Sequence, residues 1–255
     1  MPSLFPIAVA ALFGALIGSF LNVCIHRLPR EMSIVWPASR CPTCGRTLSW
    51  FENIPVVSYA FLRGRCRTCR APISARYPIV EALTAAMFAL AWWHYGPGPL
   101  VASRLVFVCA LIVLFAIDLE HHLLPNVITI PGIAIGFLIS VINPPGWRSS
   151  LIGIVVGGGV LFLIADGYYR IRHEEGLGMG DVKMLAMIGA FLGWELTLLS
   201  LMIASVAGTM IGVALVATGR GTMKYALPFG TFLAIGAAVS AAAGPAILDW
   251  YFRLW

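Results

Sequence analysis

The sequence contains few charged residues, because lysine, arginine, aspartate and glutamate together make up only 11% of its 255 residues. Soluble globular domains carry about 25% charged residues. Apolar residues make up 60% of the chain, and its mean hydropathy is +0.89. Too few polar side chains remain to cover a surface in contact with water. The composition excludes an ordinary soluble protein and predicts that lipid surrounds most of the chain.

Sequence signatures of several common enzyme classes are also missing. The chain has no H-E-x-x-H zinc motif, since His173-Glu-Glu-Gly-Leu lacks the second histidine. It has no G-x-S-x-G turn that would present a nucleophilic serine. The glycines at 176, 178 and 180 follow no strand pattern, which argues against a nucleotide-binding fingerprint. Metalloprotease, serine hydrolase and nucleotide-binding functions therefore find no support.

Apolar runs long enough to cross about 30 Å of hydrocarbon recur along the chain. They predict an all-α membrane protein with about eight transmembrane helices, and Gly193, Trp194 and Glu195 are residues that could end the sixth helix early. Basic loops at 25–77, 166–181 and 219–225 alternate with neutral or acidic ones, as eight spans with both termini outside require. The predicted spans are 4–24, 78–95, 101–118, 127–142, 150–168, 182–199, 201–218 and 227–250.

One segment, 25–77, differs in character from the apolar runs. Nine of the 17 basic residues lie between Arg27 and Arg76. Beside membrane spans, such a cluster indicates a cytoplasmic loop rather than a nucleic-acid interface. We therefore predict a first transmembrane helix at 1–24, a small cytoplasmic subdomain at 25–77, and a multi-helix transmembrane domain at 78–255.

Four cysteines in this segment form two C-x-x-C pairs, Cys41 with Cys44 and Cys66 with Cys69. Two such pairs about twenty residues apart can supply a tetrahedral Cys₄ site of the zinc-ribbon type. Four thiolates leave no open position for water, so the predicted Zn²⁺ is structural. Disulfides or a redox pair are the alternatives, but a cytoplasmic location disfavours stable disulfides. Flanking arginines would help to keep the thiols ionised.

Two aspartates stand at the ends of predicted spans. Asp118 ends the apolar run from Leu105 to Ile117, and Asp181 opens the sixth span. Both lie near the predicted cytoplasmic boundary, where they could meet. Two adjacent carboxyl groups share one proton, and such a pair can activate water against a peptide carbonyl. Gly178 and Gly180 would let a substrate backbone approach closely.

A purely structural interpretation of these aspartates stays open from the residues alone. Asp181 could cap the start of a helix. Asp118 would lie at a helix C-terminus, where a negative charge opposes the helix dipole, so capping does not explain it.

The motifs together resemble the type IV prepilin peptidase family over nearly the whole chain. The motifs that carry the resemblance are Gly18 to Pro29, the four cysteines, Asn53 to Tyr59, Arg63 to Arg67, Arg76 to Glu81, Asp118 with Pro125-Asn126, and Gly178 to Lys183.

This resemblance implies an aspartic endopeptidase of the bacterial inner membrane, with Asp118 and Asp181 as the catalytic pair at the cytoplasmic face. The substrates would be type IV prepilin or pseudopilin precursors, each cleaved after a short basic leader. Members with the four-cysteine segment commonly also methylate the new amino terminus with S-adenosylmethionine. No residue pattern locates that cofactor, although Glu31, Glu52 and Glu81 are candidates to orient the leader or the new amino group.

Two other classes of function compete with this interpretation. Intramembrane aspartates could relay protons in a transporter that uses the zinc ribbon as a docking module. The two halves of the sequence show no symmetry of the kind that transporter repeats leave. A membrane scaffold that binds partners through its cysteine segment is the third possibility.

Overall fold

The computed structural model describes residues 4–173, 178–219 and 227–253, so Gly176 and the loop residues Arg220 and Lys224 lie outside these ranges. Within them the chain forms helices and two isolated antiparallel bridges, with no β-strand, which confirms the all-α class. The α-helices of the described residues are α1 (Leu4–Arg27), α2 (Val57–Phe61), α3 (Arg76–Tyr95), α4 (Pro99–His121), α5 (Asn126–Ser140), α6 (Trp147–Arg172), α7 (Met179–Ala217) and α8 (Phe229–Arg253).

Five of the described helices are long and apolar enough to cross a membrane, namely α1, α4, α6, α7 and α8. The sequence predicts eight spans, and α5 with its 15 residues is too short to belong to these five. Large apolar side chains such as Val155, Leu163, Met210 and Val213 are exposed on the outer faces of these helices. A water-soluble protein rarely leaves such continuous apolar surface uncovered. The chain is therefore a multi-pass membrane protein.

The predicted boundary between the sixth and seventh spans, near residue 200, is wrong. The backbone leaves helical geometry at Gly193, where φ is +79° and ψ is 172°, and residues 194–217 are helical again. Only glycine adopts that φ without strain. A side chain at this position would also meet the Cβ atom of Pro145 at 2.9 Å. Residues 194–197 are therefore helical, and the break lies at Gly193, the early end that the sequence offered for the sixth span.

Contacts between Cα atoms divide the chain into two compact units, Met1–Val113 and Leu114–Trp255. In the first unit α1 packs along α3. A Cβ atom at Gly14 would lie 2.7 Å from the Phe88 Cβ atom, and one at Gly18 would lie 2.8 Å from the Glu81 Cα atom. These two glycines, four residues apart, let the helices approach closely, as small residues do between membrane helices. The division into 1–24, 25–77 and 78–255 stays a prediction.

In the second unit α7 lies at the centre, because α5, α6 and α8 all pack against it. Its residues 184–193 are all buried. The backbones of α6 and α7 approach most closely at Gly153, where a Cβ atom would lie 2.5 Å from the carbonyl oxygen of Gly189. The first part of α7, which begins with Asp181 in its first turn, is thus held by packing on three sides.

We predict that Gly153→Ala lowers the stability of the protein, by about 1–3 kcal/mol, because the added methyl group meets backbone that cannot rotate away. The matched control is Gly159→Ala in the same helix, where a Cβ atom would have no neighbour within 4 Å among the described residues. The control should keep or raise stability, since alanine favours helix by about 1 kcal/mol. Thermal unfolding in detergent measures both, and equal melting temperatures would contradict the packing described for α6 and α7.

Candidate functional site

Asp118 lies in the last turn of α4 and is only 5% exposed. Its Oδ2 atom accepts a hydrogen bond from the backbone N–H of Thr231 at 2.6 Å and another from the Thr231 hydroxyl at 3.0 Å. Thr231 belongs to the first turn of α8. Backbone N–H groups at a helix start lack partners within the helix and carry a partial positive charge. The start of α8 therefore supplies the favourable interaction that the end of α4 does not.

Asp181 lies in the first turn of α7 and is 9% exposed. The N-cap residue of α7 is Gly178, which has no side chain to cap the helix. Asp181 is therefore not the N-cap residue, but its carboxyl group accepts a hydrogen bond from the Gly178 backbone, so a structural role at the helix start stands beside the catalytic one. Its carboxyl group lies near enough to Asp118 for the two charges to interact. The structure thus brings together both aspartates that the sequence singles out, and their catalytic role stays a prediction.

Glycines leave room beside both carboxyl groups. A Cβ atom at Gly178 would lie 3.4 Å from the Asp181 Oδ2 atom, and one at Gly230 would lie 3.0 Å from the Asp118 Oδ2 atom. Gly180 differs, because a Cβ atom there would meet the Leu124 side chain at 2.9 Å. Space is thus open beside Gly178, whereas Gly180 packs closely against Leu124, and the role of both glycines in substrate approach stays a prediction.

The sequence alone did not indicate Gly230 and Thr231 as site residues. Thr231 lies 113 residues from Asp118 along the chain, and a threonine at a helix start is too common to stand out. The one feature of the sequence that could have indicated them is a glycine–threonine pair near the start of the last apolar run. A second contact links motifs that the sequence treats separately, since Lys183 Nζ donates to Asn126 Oδ1 at 2.9 Å. That bond joins the start of α7 to the start of α5, beside the aspartates.

The four cysteines predicted as metal ligands converge in the first unit. The Sγ atoms of Cys41, Cys44, Cys66 and Cys69 all lie within 4.8 Å of one another, and none of them forms a disulfide. The Sγ atoms of Cys41 and Cys69 are 3.8 Å apart. Zinc–sulfur bonds of about 2.3 Å in a tetrahedron place sulfurs about 3.8 Å apart. The donor set therefore fits a tetrahedral metal ion.

Both C-x-x-C pairs have the same backbone geometry. The N–H of Cys41 donates to the Arg46 carbonyl oxygen, and the N–H of Cys66 donates to the Ala71 carbonyl oxygen, each at 2.9 Å. Backbone N–H groups of Cys69 and Thr68 lower the pKa of the Cys66 thiol to about 6. Peptide N–H groups thus favour the thiolate at Cys66. At Cys69 the Ala71 N–H is outweighed by burial and by the neighbouring thiols, which raise the pKa of that thiol to about 11.

Comparisons with known proteins agree with this geometry. The model of the bacterial peptidase A24 N-terminal domain matches residues 12–95, and that of the type IV leader peptidase family matches residues 105–213. A prepilin leader peptidase/N-methyltransferase of Burkholderia pseudomallei (strain 1026b) is 38% identical over 94% of this chain and 86% of the relative. Proteins of the same description from Myxococcus xanthus (strain DK1622) and Aeromonas hydrophila are 42% and 36% identical, over 81% and 94% of this chain and 62% and 91% of the relatives. No solved structure matches the chain.

Proposed function

Because this chain belongs to the type IV leader peptidase family, we propose that Asp118 and Asp181 are the catalytic pair with which it cleaves prepilin leader peptides. The enzyme is bifunctional and also N-methylates the product. The observation that carries the catalytic assignment is that two buried carboxyl groups lie beside Gly180 and Gly230, which both pack against the same side chain, Leu124.

The pair suits peptide hydrolysis by an activated water. Two close carboxyl groups hold one proton between them, because both charges together would repel. The charged group takes a proton from water as the water oxygen attacks the scissile carbonyl carbon. The protonated group donates to the carbonyl oxygen, and the leaving nitrogen takes a proton as the C–N bond breaks. Thr231 occupies Oδ2 of Asp118, which leaves Oδ1 for the water.

We place the enzyme in the bacterial inner membrane, with the cysteine segment and the aspartates on the cytoplasmic side. Five described helices are long and apolar enough to cross a membrane, and the proposal of eight spans rests on the alternation of basic and neutral loops in the sequence. Prepilin or pseudopilin precursors are the proposed substrates, and the lipid bilayer is proposed to surround the helices. The transporter and scaffold alternatives gain no support from the family or its relatives.

The four thiols are proposed to hold Zn²⁺ in a structural role, because soft thiolates in a tetrahedron favour that ion. The segment between α1 and α3 has little apolar core, so metal binding contributes to its folding. S-adenosylmethionine is the proposed methyl donor, which supplies an electrophilic methyl group on sulfur.

We predict that Asp118→Asn and Asp181→Asn each lower the cleavage rate by about three to four orders of magnitude, as loss of one member of a catalytic unit does. Asparagine keeps the size of the side chain but removes the shared proton. The matched control is Asp166→Asn in α6, whose exposed side chain pairs with Arg170. Mass spectrometry of a purified precursor in detergent follows cleavage. Either active-site variant within tenfold of the parent enzyme would refute the assignment.

We predict a smaller effect for Thr231, which positions Asp118. Thr231→Val removes the hydroxyl donor and should lower kcat about tenfold or more with little change in KM, since one bond to a charged group contributes about 1.5–3 kcal/mol. Thr231→Ser keeps the hydroxyl and should restore most of kcat. Equal losses in both variants would show that the hydroxyl is not the relevant group.

For the metal, we predict that Cys41→Ser and Cys66→Ser each reduce bound zinc from about one ion per chain to less than half of that. Cys109→Ser serves as the control, because Cys109 lies in α4 away from the cysteine cluster. Elemental analysis of purified protein gives the stoichiometry. An unchanged zinc content in the first two variants would exclude the Cys₄ site.

A further inference from the structure

A cavity of about 580 Å³ lies within the first unit, between α1, α3 and the four-cysteine segment. Sites for small organic ligands have volumes of about 300–1,000 Å³. Its lining combines acceptors, cationic side chains and aromatic rings, among them Asn22, Arg40, Tyr59, Tyr77 and Glu81. The two aspartates proposed as catalytic belong to the second unit, and the residues that line this cavity all belong to the first.

One side of the cavity presents a buried amide oxygen without a protein partner. Asn22 is 2% exposed, and its Nδ2 atom donates to the carbonyl oxygen of Tyr77 at 3.0 Å. No donor in the described parts of the chain reaches its Oδ1 atom. Burying an acceptor without a donor is unfavourable, so native proteins rarely leave one unpaired. Asn22 therefore brings an unsatisfied acceptor to the wall of the cavity.

A carboxyl group faces the same side of the cavity. Glu81 is 8% exposed, and one of its oxygens accepts from the backbone N–H of Val56 at 2.7 Å. In α1, Asn22 lies one turn after Gly18, and in α3, Tyr77 lies one turn before Glu81. Gly18 packs against Glu81 and Asn22 bonds to Tyr77, so these residues form two successive contacts between the helices. The two acceptors are therefore about one turn apart along the α1–α3 contact. A carboxylate offers about four acceptor positions, so Glu81 can still bind further donors.

Among the three candidates from the sequence, Glu81 lines the cavity without an ion pair in the described parts of the chain, although the Val56 N–H and the Ser19 side chain both bond to it. Glu52 also lines it, but Arg46 Nη2 donates to one oxygen at 2.6 Å and the Ser49 N–H donates to the other at 2.9 Å. The Arg46 guanidinium holds the pKa of Glu52 below its ordinary value. Glu31 is exposed and does not line the cavity.

We propose that this cavity is the methyl-transfer site, in which Glu81 and Asn22 accept hydrogen bonds from, and attract, the cationic end of S-adenosylmethionine. The proposal rests on the methyltransferase activity stated above. S-adenosylmethionine carries an ammonium and a sulfonium group, which match the two acceptors. Its carboxylate matches the exposed guanidinium of Arg40. Its aromatic base can stack on the rings of Tyr59 and Tyr77.

Methyl transfer in such a site needs a group that takes a proton from the pilin amine, in addition to the groups that bind S-adenosylmethionine. The new amino terminus of the pilin arrives as an ammonium and gives up one proton. Its lone pair then forms the N–C bond as the S–C bond breaks, and the sulfonium leaves as a neutral thioether. The Glu81 carboxylate is the acceptor in the cavity that can take that proton and pass it to water.

Titration calorimetry with S-adenosylhomocysteine on the full chain in detergent tests the site without turnover. Glu81→Gln should weaken binding at least tenfold. Ala38→Trp should do the same by filling the cavity, because Ala38 is an exposed lining residue whose side chain can grow without disturbing a core. The matched control is Glu31→Gln, the same change at an exposed position outside the lining. Zinc content of each variant reports whether the segment is folded.

The outcomes separate this proposal from the peptidase assignment. We expect Asp118→Asn to bind S-adenosylhomocysteine like the parent, and Glu81→Gln to lose at least tenfold more binding than cleavage rate. Binding within threefold of the parent in both Glu81→Gln and Ala38→Trp would overturn the cavity assignment, as would absence of binding to the parent. Neither result would bear on Asp118 and Asp181, which the cleavage assay judges alone.

Discussion

Two negative charges buried side by side in an apolar surrounding repel strongly, and the arrangement of the second unit follows from managing that repulsion. Asp118 lies at a helix end that disfavours a carboxylate, and the N–H and hydroxyl of Thr231 offset this. Asp181 lies in the first turn of α7, where the helix dipole favours a negative charge. In the mechanism that we propose, one proton shared between the two removes the remaining conflict and equips the pair to activate water.

Close contacts at glycines, together with the large buried side chains of α7, fix the helices that hold the pair. Gly153 brings α6 onto α7, and Gly230 leaves the space beside Asp118 that a methyl group would fill. Within lipid, helices gain little from the hydrophobic effect when they associate, so close van der Waals packing carries more of the stability. A site that needs its carboxyl groups in one geometry benefits from such rigid contacts.

Much of this could be predicted from the sequence. The low charge predicts the membrane helices, two C-x-x-C pairs predict the thiol cluster, and Asp118 and Asp181 are conspicuous because charges in apolar runs are rare. The sequence offers Gly193 as one possible end of the sixth span but does not decide between it and residue 199, because the apolar run continues through it and only the folded backbone shows its φ of +79°. Thr231 and Asn22 could not be predicted, since their roles depend on partners that only the folded chain brings near.

The central claim is that Asp118 and Asp181 act as one unit. The most direct measurement compares the residual cleavage rate of the Asp118→Asn/Asp181→Asn double variant with the rates of both single variants, in a mass-spectrometric assay sensitive enough to quantify all three. Groups that act together are strongly non-additive. Our account predicts that the double variant is no slower than the slower single variant. A further loss equal to the product of the two single losses would show that the aspartates act independently, and would contradict it.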